Sequence, residues 1–112
     1  MAYPTGSGSE ILGRVGGTYD TADSVAIITV PSLHIYTILS ASFCRPGATA
    51  NTIKLFANNG SDRQLMEEDI SDGRPFVWND KLVLMGGDLL RLNLANTQEI
   101  KYWVSYIDQD WS

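Results

Sequence analysis

Asp88 to Ser112, DLLRLNLANTQEIKYWVSYIDQDWS, is the longest stretch of the chain without glycine or proline, and so the place where a helix has most room to form. Its apolar residues do not keep helical spacing. Leu90, Leu92 and Leu94 alternate with Arg91 and Asn93, and Ile100, Tyr102, Val104 and Tyr106 alternate with Lys101, Trp103 and Ser105. A period of two predicts two strands, with Asn96 and Thr97 as the turn between them and β-branched and aromatic residues crowding the second.

The same reading extends upstream. Ser24 to Val30 is a β-branched run ended by Pro31, and Leu33 to Phe43 reads as a long strand ended by Arg45, Pro46 and Gly47. In that strand unbroken alternation puts Ile35, Thr37, Leu39, Ala41 and Phe43 on one side, and His34, Tyr36, Ile38 and two serines on the other. Apolar groups on both sides predict a central place in a sheet. Asn51 to Asn58 follows, and the loop from Asn58 to Asp62 carries an Asn-Gly pair suited to a hairpin. Arg63 to Ser71 places Leu65, Met66, Asp69 and Ile70 near helical spacing, so a helical turn competes there with a strand. Asp72 and Gly73 turn the chain, Phe76 to Trp78 and Lys81 to Met85 extend it, and Gly86-Gly87 predicts a hairpin into Asp88 to Leu94.

Roughly eight or nine short strands without crossover helices predict an all-β fold: one antiparallel β-sandwich or jelly-roll-like domain over residues 13–112, preceded by an extended N-terminal arm, residues 1–12. The 112 residues, 44% of them hydrophobic, suit one core. A net charge of −5, with the basic residues scattered, argues against nucleic acid as a partner. The amino end, Met1 to Ser9, lacks the basic and apolar regions of a secretory signal. No apolar run approaches the roughly 20 residues of a membrane-spanning helix, so no membrane is expected.

Chemistry-bearing residues are few. Cys44 is the sole cysteine and His34 the sole histidine, so neither an internal disulfide nor the usual structural zinc set can be assembled in one chain. His34 has no Gly-flanked nucleophile elbow to serve, and it and Cys44 stand at opposite ends of one predicted strand. Glu67, Glu68, Asp69 and Asp72 form an acidic cluster, but Ile70 interrupts the alternating oxygens of an EF-hand and the cluster reads as a solvated edge. Asn59-Gly60-Ser61 matches a glycosylation sequon, yet the turn alone demands Asn-Gly. No catalytic residue, cofactor site or metal site is expected. Trp78, Trp103 and Trp111 stand out as candidate partner contacts, because large aromatics are enriched at interfaces and on sugar-binding platforms.

Three segments, in the same order, carry a resemblance. They are ITVP (28–31) leading into IYTILSASFC (35–44) and GATANTIKLF (47–56); KLVLMGGDLLRL (81–92); and IKYWVSYID (100–108). Together they resemble the small β-sandwich structural proteins of tailed bacteriophage virions, of the decoration, cement or tail-accessory type. The resemblance implies a non-enzymatic virion protein made in the bacterial host cytoplasm. It also implies attachment to a major capsid protein or a tail protein, and a homo-oligomer, with a trimer favoured.

The expectations for function are therefore a capsid decoration or cement protein on the outer shell, then a tail or fibre accessory protein, then a carbohydrate-binding sandwich using its tryptophans. For the first, the arm adds contacts to the capsid lattice, with Ala2, Tyr3, Pro4, Ile11 and Leu12 as the candidate contacts.

Overall fold

Nine strands and no helix make up residues 9–111, the part of the chain that the computed structural model describes. They are β1 (Ser9–Tyr19), β2 (Ser24–Thr29), β3 (His34–Cys44), β4 (Asn51–Asn58), β5 (Asp62–Ile70), β6 (Pro75–Trp78), β7 (Leu82–Met85), β8 (Leu89–Leu94) and β9 (Ile100–Asp110). One sheet, A, has the order β1-β9-β3-β6, with β7 also paired to β3; the other, B, has the order β2-β8-β4-β5. Every pairing is antiparallel. The expected all-β sandwich is the fold, and its strand order is that of a jelly roll with one strand split in two.

Only β4 and β5 are neighbours both in sequence and in a sheet; the other connections step from one sheet to the other or, for β6 and β7, along β3. This corrects the expected hairpin at Gly86-Gly87: β7 pairs with β3, whereas β8 pairs with β2 and β4. Gly87, at φ 90°, makes the turn, and its N–H donates to the carbonyl of Val30 at 2.9 Å. A side chain on Gly86 would meet the Pro31 carbonyl at 3.0 Å, so the two connections pass backbone against backbone. The Asn96-Thr97 turn likewise carries the chain from sheet B to sheet A. Turn chemistry is local and does not specify which sheet the next strand joins.

β3 is central, as its two apolar sides predict, but its alternation is broken. The register against β9 slips between Ile38 and Ser40, so Leu39 is a bulge. Before it the even-numbered side chains point inward and after it the odd-numbered ones: Ile38, Ala41 and Phe43 are all fully buried. The same bulge divides the far edge, where β7 pairs with residues 35–38 and β6 with residues 41–44.

The ambiguous segment 63–71 resolves as strand β5. Its register against β4 slips at Leu65, so Leu65 and Met66 both pack against the core, and consecutive apolar contacts imitate helical spacing. Between the sheets, Ile53, Leu55, Leu90, Leu92 and Leu94 meet Ile38, Phe43, Leu84, Ile100 and Val104. Residues 9–12, assigned to the arm by composition, lie in β1 paired to β9.

Candidate interaction surface

The two outer faces of the sandwich differ in chemistry. On sheet B, Lys54 pairs with Glu67 at 3.3 Å, Arg91 with Asp62 at 3.8 Å, and Asn93 donates to Ser24 at 2.9 Å. That face is mostly polar, and the larger apolar side chains on it, Phe56 and Leu89, are only partly exposed. On sheet A the register lines up Leu12, Ile107, Thr37 and Val83 in one row across four strands, and Gly16, Trp103, Ser42 and Val77 in another. Leu12 is 77% exposed, Val83 59%, Trp103 51% and Val77 50%. These exposed apolar residues are spread over one face, with Thr37, Ser40, Ser42, Ser105 and Arg14 between them, and make it the more apolar of the two outer faces.

Close approach to glycine builds this face. An added Cβ at Gly16 would run into the Trp103 ring, so the indole lies over bare backbone, with the Arg14 guanidinium 5.8 Å from its centroid. On the inner side Gly13 does the same for Tyr106, whose ring atoms would be 2.5 Å from a Cβ there. Tyr106 stacks on Tyr36 with centroids 4.5 Å apart. The aromatic residues of β9 were legible; their match to glycines of β1 was not, because it depends on a pairing between strands far apart in sequence.

Beside that stack, on the same side of sheet A, His34 Nδ1 donates to Asp108 Oδ1 at 2.7 Å while Nε2 is 3.5 Å from Asp110 Oδ1. The hydrogen bond to Asp108, opposed by partial desolvation and reinforced by the charges of Asp108 and Asp110, raises the His34 pKa above its ordinary 6.5. Burial first, then the charge of Asp108, pushes the Tyr36 phenol up to about 12, so it stays neutral. A raised histidine pKa contributes stability that is present below the unfolded value and lost as pH rises through the folded one. The melting temperature of the wild type should therefore lose ground to that of H34Q as pH rises from about 6 to about 8; a pH-independent difference would count against the ion pair.

The candidate contacts are dispersed. Trp103 is exposed on the outer face; Trp78 packs against the core with its Nε1 buried and unpaired; Trp111 lies where the chain passes Leu33, its backbone N–H donating to the Leu33 carbonyl at 2.9 Å. The three tryptophans share no platform. Trp111 instead lines a cavity of about 340 Å³ with Leu33, His34, Ile35 and Met85. Ile11 and Leu12 are exposed on opposite sides of β1, and Ala2, Tyr3 and Pro4 lie outside the described residues. Among the described residues no group of three or more His, Cys, Asp or Glu could hold a metal ion, and no helix is long and apolar enough to cross a membrane.

Two solved structures are similar to this chain. A structure of Bacillus endospore appendages, a novel family of disulfide-linked pili, is similar at TM-score 0.56 and 13% identity, over 100% of this chain and 97% of that one. A pentameric capsid protein isolated from metagenomic phage sequences is similar at TM-score 0.47 and 14% identity, over 87% of this chain and 60% of that one. At that identity the likeness to the appendage protein is one of fold. No family model and no curated protein matches the chain.

Proposed function

We propose that the protein is a non-enzymatic structural subunit displayed on a particle, and specifically a decoration or cement protein on the outer shell of a tailed-phage virion. The observation that carries this reading is the contrast between the two faces: sheet B is dressed for water, whereas sheet A leaves Leu12, Val77, Val83 and Trp103 uncovered. The sheet A face docks on the major capsid protein and sheet B faces solvent. The net charge of −5 fits a position away from the packaged genome. The three segments that resemble virion decoration proteins support the same reading.

A second reading, a subunit of a tail, fibre or surface appendage, is favoured by the fold likeness to the spore appendage protein, which spans both chains almost completely. Copy number on purified particles separates the two, since a shell is covered many times over and a tail only by a few copies. The variant V77D/V83D, altered at two exposed positions, should keep its melting temperature within a few degrees and attach to particles at least tenfold less well. Undiminished attachment would rule out the sheet A face as the docking surface.

A further inference from the structure

Four edges border the two sheets, and three are blunted. β5 is crowded with Asp62, Arg63, Glu67, Glu68 and Asp69, β2 is six residues long with a bulge, and β6 and β7 are four residues each, the former opening on Pro75. Short length, charge, bulges and proline are the usual means of keeping an edge unpaired. β1 has fewer of these devices: it runs for 11 residues without proline and keeps an unbroken register against β9. It also exposes Ile11 and Leu12.

The order of residues on β1 names its occupant. Glu10, Leu12 and Arg14 share the outer face, with Leu12 midway between opposite charges. In antiparallel pairing about a two-fold axis through Leu12, residues whose numbers sum to 24 stand opposite one another: Leu12 meets Leu12, Glu10 meets Arg14 on both sides of the axis, and Ile11 meets Gly13. Centring the axis on Arg14 or Glu10 instead sets like charges against each other. Glu10 accepts a hydrogen bond from Gln109 Nε2 at 2.8 Å, and its carboxylate retains lone pairs for a guanidinium. Arg14 is exposed on the same face.

We propose that two copies of the chain pair edge to edge through β1, in the register that sets Glu10 against Arg14 and Leu12 against Leu12, joining their A sheets into one continuous sheet. The contact is isologous and closes as a dimer. It rests on the edge position of β1 and the order of charges along it, and holds or fails independently of what the sheet A face docks on.

The test is a charge swap in the full chain, read by sedimentation velocity over a concentration series. E10R and R14E each turn two attractions into two repulsions, so each should raise the dimer dissociation constant at least about tenfold. The combined E10R/R14E should return to within about threefold of the wild type, because the pairs are re-formed with signs exchanged. In a C44S background, L12C should cross-link to itself under mild oxidation while I11C, facing Gly13, should not. A wild type that stays monomeric, a three-fold assembly, or a double variant as weak as the singles overturns the proposal. If a charge variant folds poorly, the cross-linking pattern decides the question independently: L12C that fails to cross-link, or I11C that does so equally well, overturns the register.

Discussion

Truncating Phe43 to alanine will lower the unfolding free energy by about 3–5 kcal/mol, the range for removing a large side chain from a core that cannot collapse into the space. Phe43 is fully buried and stands on the central strand of sheet A, opposite Tyr102 on one side and Phe76 on the other. Both neighbours are fixed by the ladder, so little can move in. Chemical denaturation measures the loss, and the matched control is L39A. The sequence alone puts Leu39 and Phe43 on one side of β3, whereas the bulge takes Leu39 off the buried row. L39A should cost clearly less than F43A, and equal losses would mean the bulge does not form.

The second large effect is expected at Asn51, where alanine should cost about 2–3 kcal/mol by leaving several buried polar groups unpaired at once. Asn51 is 1% exposed; its Nδ2 donates to the carbonyls of Asn96 and Gln98 and its Oδ1 accepts from the Asn96 N–H. Arg45, also buried, donates to the carbonyls of Thr49 and Glu99 and to Gln98 Oε1. These two side chains add to the backbone hydrogen bonds of the 45–50 and 95–99 connections, where the chain changes sheets. N51L, closer in volume but equally unable to hydrogen-bond, should not recover the stability. Recovery by leucine would show that volume, not hydrogen bonding, matters at that position.

Most strands were legible because burial on one side imposes a period of two, and β8 and β9 show this most plainly. What escaped the sequence depends on partners far along the chain. The bulges at Leu39 and Leu65 are slips against β9 and β4, and neither residue looks unusual in its own segment. The Gly86-Gly87 turn carries the same local chemistry whether the next strand pairs beside it or crosses the core. The candidate surface was half legible. Trp103 stands out by size, but its exposure on the same face as Leu12, Val77 and Val83 follows from four strands being brought side by side. Gly13 and Gly16 carry no side chain to signal a role until β9 is laid against them.

The position of β9 between β1 and β3 also bears on how the molecule is made. Sheet A cannot close until the segment 100–110 has left the ribosome, because its two flanking strands have no hydrogen bonds to each other without it. Until then β1 and β3 expose unpaired backbone, and contacts of such long sequence separation form slowly. Closure of sheet A is therefore expected to wait until β9 has been made. Until β9 is in place neither the outer face of sheet A nor its β1 edge is formed, so any contact made through them waits for sheet A to be complete.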